Sequence, residues 1–341
     1  MQDSAVTLYA IYSKEVTVLY DKNGGAEDIT QKYTIYNNQT NLTITTPSAA
    51  TTKTGWTFIG FGNSSSATSG YALGKNVDIT IAISANSYTL YTNWKKNIEV
   101  KFIDYKGTTK TTTTKNITAY NGGTADVVAP QQNEYTNWTR KGWTTLTTTT
   151  ATGSNINGGK YTGLSVNTVY YGLYEQTVTI TYNLNGATSA QIDSQNGIRK
   201  VNSSNIASVS NPKLTITSTI PTKPGYTFKN WKDSSENVYE SGTSYTISES
   251  KTLNAVWDVI TYNITYDLNG GSLETGKTNP TTYTVESDDI TLNNPIKVGY
   301  NFSGWQLDGQ ESAQNPCVIS KGSIGDRKYI AKWANADDIE Y

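Results

Sequence analysis

Ile264-Thr265-Tyr266-Asp267-Leu268-Asn269-Gly270-Gly271 decides how the rest of the chain is read. Apolar Ile264, Tyr266 and Leu268 alternate with Thr265 and Asp267, the period-two pattern of a strand with one buried face, and Asn269-Gly270 supplies a turn. Related openings stand at Val18 (ValLeuTyrAspLysAsnGlyGly), Val100 (ValLysPheIleAspTyrLysGly) and Ile180 (IleThrTyrAsnLeuAsnGlyAla), so the motif returns every 80 to 84 residues. A period of that length marks an array of small supersecondary units and not one large enzyme core.

Two further markers keep step. A middle marker reads GlyTrpThrPheIleGlyPhe from Gly55, AsnTrpThrArgLysGlyTrp from Asn137, GlyTyrThrPheLysAsnTrp from Gly225 and GlyTyrAsnPheSerGlyTrp from Gly299; closing strands end on Trp94, Tyr174, Trp257 and Trp333. These markers divide the chain into repeat 1 (14–96), repeat 2 (97–176), repeat 3 (177–259) and repeat 4 (260–341). Residues 1–13, with ValThrLeuTyrAlaIleTyr from Val6, read as the closing strand of a preceding, truncated repeat. The stretches between repeats are short and hold no Pro or Gly-Ser linker, so the expected architecture is a β-rich, at most α+β, elongated rod of four small domains.

Patterning in repeats 3 and 4 assigns Tyr182, Tyr226, Phe228, Trp231, Trp257, Tyr266, Tyr300, Phe302, Trp305 and Trp333 to the structural core. Past a bend in the last middle marker, either Gly304 or Trp305 turns inward, and the closing strand is expected to bury Ile330. Each buried Tyr or Trp removes roughly 150–250 Å² from water, so three or four rings can hold together a bead of this size.

Composition narrows the chemistry. With 27 basic and 28 acidic residues the formal charge is −1, which gives no field to attract nucleic acid. There is no histidine, and one cysteine, Cys317, so the usual neutral-pH general base, an internal disulfide and a thiolate zinc site are all excluded. No stretch is apolar enough to insert in a membrane. The expectation is a non-enzymatic monomer with no cofactor and no bound metal. Abundant Tyr, Thr and Asn suit half-buried sheet surfaces and tight turns.

The quoted opening at 264–271, GlyTyrAsnPheSerGlyTrp at 299–305 and AlaLysTrp at 331–333 together resemble the Listeria-Bacteroides repeat family, the B-repeat type of internalin B. The resemblance implies a compact β-grasp-like fold, tandem occurrence on bacterial surface proteins, and a binding or spacing role without catalytic residues. It is most complete in repeats 3 and 4, whereas repeats 1 and 2 depart from it. Repeat 2 has Asn137 for Gly, Arg140 for the core Phe, Gly142 next to Trp143, and AspTyrLysGly where the other openings have Asn-Gly.

Other signals have plainer readings. The turns after Asp21 and Asp267 resemble the start of a calcium loop but lack its later carboxylates, so hairpin turns are expected. Glu27/Asp28 and Asp288/Asp289 read as solvated turn residues and Cys317 as a buried, inert thiol. No Lys-Asn-acid trio recurs across the repeats to mark a self-formed isopeptide cross-link, and the Asn41, Asn116 and Asn263 triplets are expected by chance in an Asn- and Thr-rich chain.

Two function classes remain: an extracellular module binding a host or matrix protein such as an immunoglobulin, receptor or mucin, and a spacer projecting another domain from the cell surface. Aligning second strands sets Tyr36 and Tyr120 over Glu286. A position that takes Glu faces solvent, so Tyr36 and Tyr120 become the candidate partner-binding aromatics.

Overall fold

The computed structural model describes residues 5–154, 158–188 and 191–336, and these contain no helix. Each repeat contains the same four mixed strands, in the order second, opening, closing, middle, and in repeats 3 and 4 a short fifth strand, Val238–Tyr239 or Ala313–Gln314, pairs with the middle one. In repeat 1 the opening strand Ser13–Asp21 pairs antiparallel with the second strand Ile29–Tyr36 and parallel with the first half of Ser87–Lys106. That closing half pairs antiparallel with the middle strand Thr57–Gly62. Repeat 2 takes its opening strand from the second half of Ser87–Lys106 and adds Thr109–Tyr120, Thr168–Asn183 and Thr139–Thr144 in the same roles. The pattern recurs around the parallel pairs Ile180↔Lys251 in repeat 3 and Ile264↔Arg327 in repeat 4.

Parallel neighbours need a long crossover between them. Here the crossover carries a two-stranded ribbon in place of a helix: Asn41–Thr45 with Asn76–Thr80, Ala125–Val128 with Lys160–Leu164, Lys213–Thr215 with Ser244–Thr246, and Ile290–Thr291 with Val318–Ile319. The ribbons and the segments beside them turn Ile44, Val127, Ile216 and Ile319 onto four separate apolar clusters, one per repeat. The expected buried thiol, Cys317, lies under the last ribbon at 2% exposure, and burial pushes its pKa up.

A bulge in every middle strand sets which aromatic points inward. The middle-to-closing register shifts between Phe58 and Gly60, Leu173 and Tyr174, Phe228 and Asn230, and Phe302 and Gly304. Each extra residue shifts the alternation of the strand beyond it, so Phe61, Trp143, Trp231 and Trp305, two positions further on, are all buried. The choice at the last bend thus falls on Trp305. Gly142, which distinguishes repeat 2 on paper, holds the same bulge as Gly60 and Gly304. A Cβ at these three glycines would lie 2.3–2.8 Å from backbone of the facing segment.

Of the expected core, Trp231 and Trp305 are sealed, and Tyr182, Phe228, Trp257, Tyr266, Phe302 and Trp333 pack against the clusters at partial burial. Three assignments change. Tyr300 is 42% exposed and Tyr226 is only partly buried outside the core, because both are the first residues of their middle strands, paired with Asn335 and Val259 at the end of the sheet ahead of the bulge. Ile330 is partly buried while its neighbours Tyr329 and Ala331 face inward, since alternate residues of a strand take opposite faces.

By compactness the chain divides into two units, Met1–Gln176 with Lys200–Ser210, and Thr177–Arg199 with Asn211–Tyr341. Within the first unit the Asn202 amide donates to the carbonyls of Leu146 and Thr148, both at 3.0 Å. Ser203 Oγ donates to Ile103 O at 2.6 Å and accepts from Gly172 N at 2.7 Å. A segment expected to serve repeat 3 therefore satisfies backbone groups of repeat 2, the buried Gly172 N among them.

Candidate interaction surface

In three repeats a lysine stands three residues ahead of the first aromatic of the middle marker: Lys53-Thr-Gly-Trp56, Lys223-Pro-Gly-Tyr226 and Lys297-Val-Gly-Tyr300. The aromatic amide donates to the lysine carbonyl at 3.0, 3.0 and 3.2 Å, closing a four-residue turn. Its third residue, Gly55, Gly225 or Gly299, has φ of 75 to 79°, as a type II turn requires. Repeat 2 keeps the turn with Asn137 at φ 64° and a Trp138 N to Tyr135 O bond of 2.8 Å, so the Gly-to-Asn change preserves the geometry.

The turn brings the lysine ammonium over its aromatic, 5.1 Å from the Trp56 ring, 4.2 Å from Tyr226 and 4.4 Å from Tyr300. The same ammonium lies 5.8 Å from Trp257 in repeat 3 and 5.8 Å from Trp333 in repeat 4. It also donates to the carbonyl of Asn23, Asn185 or Asn269 at 3.0–3.3 Å. These asparagines, with φ of 45 to 48°, and the glycines after them form the turns that follow the opening strands. The indoles of Trp94 and Trp333 donate to the preceding carbonyls, Lys22 O and Leu268 O, at 3.1 and 3.3 Å. Lysine and tryptophan thus clamp successive carbonyls of one turn. Burial lowers the Lys53 pKa.

Repeat 2 replaces this clamp. Tyr135 takes the lysine position and stacks on Trp138 at 5.6 Å and 13°, while Tyr174 takes the tryptophan position and meets Tyr135 edge-on at 5.5 Å. The Tyr174 hydroxyl donates to the Asp104 carboxylate, which also accepts from Asn133 N at 2.7 Å. Burial raises the Asp104 pKa despite these bonds, and burial and then Asp104 raise that of Tyr174. Arg140, standing where the other repeats have a core Phe, donates to Gln132 O at 3.0 Å. A buried polar network therefore substitutes for one ring. It binds backbone, and it offers no nucleophile to solvent.

Tyr36 is 51% and Tyr120 38% exposed, at equivalent ends of second strands, one repeat apart and with no ring contact between them. Their counterpart Glu286 accepts a 2.7 Å bond from the Tyr226 hydroxyl, which pushes that phenol's pKa up. The acidic pairs serve turns: Asp28 accepts from Lys22 N, Asp289 from Lys321 N, and Asp288 pairs with the Lys321 ammonium. Among the described residues no group of three or more His, Cys, Asp or Glu is arranged to hold a metal. The lysine clamp was not anticipated, although Lys-x-Gly-aromatic recurs in register in the sequence.

The Listeria-Bacteroides repeat domain matches residues 17–93, 179–256 and 262–322, which takes in repeat 1 together with repeats 3 and 4 and leaves out repeat 2. A protein of Evansella cellulosilytica described as a Gly-rich membrane protein is 32% identical over 90 residues, 25% of this chain. The match spans 10% of that relative's length. No helix among the described residues is long and apolar enough to cross a membrane.

Proposed function

Because the chain belongs to the Listeria-Bacteroides repeat family, a non-enzymatic repeat domain typical of bacterial surface proteins, we propose that it is an extracellular, load-bearing spacer of a cell-surface protein. The carrying observation is the parallel pairing of the first and last strands of every repeat: Thr17↔Ser87, Val100↔Thr168, Ile180↔Lys251 and Ile264↔Arg327. Tension enters a repeat at the start of its opening strand and leaves at the end of its closing strand. Between parallel neighbours that load is shear, which strains all the shared hydrogen bonds at once instead of unzipping them singly.

Pulling the full chain by its ends tests this reading. Each repeat should rupture as a separate event that releases about 25 nm of chain, at a force well above that needed to peel an antiparallel hairpin. Smooth extension without such events would overturn it.

A second reading, binding of a host or matrix protein through repeats 1 and 2, is supported by the exposure of Tyr36 and Tyr120. The test immobilises the full chain against serum, mucus and matrix proteins, then compares Tyr36→Ala and Tyr120→Ala. A contact hot spot loses at least about 2 kcal/mol of binding, roughly thirtyfold in affinity. Unchanged affinity in both variants would remove these residues from the contact.

A further inference from the structure

Lys251 of repeat 3 and Arg327 of repeat 4 hold the same place, opposite Ile180 and Ile264 of their opening strands. Strand alternation turns both towards the covered face, with the buried Leu253 and Tyr329 two residues on. In repeat 3 the ammonium meets a counter-charge from its own repeat. Asp233, 6% exposed, accepts from Lys251 Nζ at 3.1 Å and from the Tyr239 hydroxyl at 3.0 Å, and Lys251 Nζ also donates to that hydroxyl at 2.8 Å. In repeat 1 the place falls to Tyr88, whose hydroxyl donates to Asn63 at 3.3 Å.

Repeat 4 keeps the cation and lacks the carboxylate. Trp231 pairs with Ala255 and Tyr239 as Trp305 pairs with Ala331 and Gln314, so Asp233 and Tyr239 correspond to Leu307 and Gln314. Arg327 Nε donates to the Tyr283 hydroxyl at 3.0 Å and Nη1 to the Tyr329 hydroxyl at 3.3 Å, but among the described residues the guanidinium pairs with no Asp or Glu. Its planar fork of N–H donors is not exhausted by two phenols. Beside it lies a cavity of about 140 Å³, lined by Trp305, Leu307, Ser312, Gln314, Arg327 and Tyr329.

We propose that this cavity binds an external monocarboxylate, whose carboxyl group meets Arg327 as Asp233 meets Lys251. A guanidinium receives a carboxylate through two parallel bonds, and a half-buried cation without a counter-charge gains most from one. A cavity of this size admits the carboxylate with a few carbon atoms behind it, which Leu307 and Trp305 would cover.

The full chain, labelled with ¹⁵N, is titrated with sodium acetate at an ionic strength held constant with chloride. The Arg327 Nε–H and Trp305 indole signals should shift along a saturable curve, and acetamide should leave them in place. Arg327→Gln should weaken acetate binding at least about tenfold, with the Trp305 indole signal reporting that repeat 4 stays folded. Leu307→Asp keeps the cation but supplies the carboxylate of repeat 3, so it should weaken acetate binding to a similar extent. N-acetylglycine and glucuronate carry the same group on a peptide end and on a sugar, and the tighter of the two identifies the source. A response to acetate that does not saturate, an equal response to acetamide, or native affinity in either folded variant overturns the proposal.

Discussion

Gly60 and Gly304 both have φ of 142° and lie against facing backbone, 2.4 and 2.8 Å from where a Cβ would sit. Asn230 fills the equivalent bulge position in repeat 3, so the site can accept a side chain when its backbone takes ordinary φ. Gly60→Ala and Gly304→Ala should therefore each cost at least about 1–3 kcal/mol by strain. Asn230→Ala should cost less than about 1 kcal/mol, because its side-chain oxygen is buried without a partner and truncation removes that burden. Urea denaturation of the three variants checks this contrast.

Two buried carboxylates should respond oppositely to acid. Burial would raise the Asp233 pKa, but bonds from Asn237, Lys251 and Tyr239 hold it far below the usual carboxylate value. Its stabilising contribution is complete above about pH 4 and is lost as pH falls toward the folded value. Asp104 is raised by burial, so it costs repeat 2 stability at neutral pH, a cost relieved as pH falls. Amide exchange measured from pH 7 to pH 3 should show repeat 3 weakening relative to repeat 2, and Asp233→Asn should remove most of the loss from repeat 3.

At the scale of elements, the segment Lys200–Ser210 separates sequence order from structural allegiance. Ser203→Ala would leave Ile103 O and the buried Gly172 N unpaired and should cost about 1–3 kcal/mol, whereas Asn202→Ala frees the carbonyls of the exposed Leu146 and Thr148 and should cost about 1 kcal/mol. The loss should appear as faster exchange in residues 97–176 and not in 211–259, which isolated-domain melting curves of repeat 3 would miss.

The strands themselves were legible because period-two alternation and aromatic markers are local signals, and so were the Asn-Gly turns. What placed Trp305 inside was a bulge, whose one-residue shift no alternation rule contains, while Tyr300 lies outside because it precedes that bulge at the strand's open end. The clamp was half legible. Lys297 and Tyr300 are three apart in the chain, but the carbonyl they guard belongs to Asn269, a contact set by the closed sheet. Repeat 2 read as a departure because Asp104, Asn137 and Arg140 abandon the shared residue types while keeping the shared backbone. The attachment of Asn202 and Ser203 to repeat 2 is tertiary and left no trace in the pattern.

For the whole molecule, the central claim is that four copies of one sheet plan, including the repeat that departs from the family pattern, each carry their own core. Native-state hydrogen exchange on the intact chain with Trp305→Ala tests it most directly. The ring is 1% exposed in the cluster of repeat 4, and its loss should cost about 3–5 kcal/mol there. Exchange should accelerate across residues 262–336 while the closing strands of repeats 1 and 2 keep their wild-type protection. Acceleration spread equally over residues 13–176 would contradict the account, because it would mean one cooperative core in place of four.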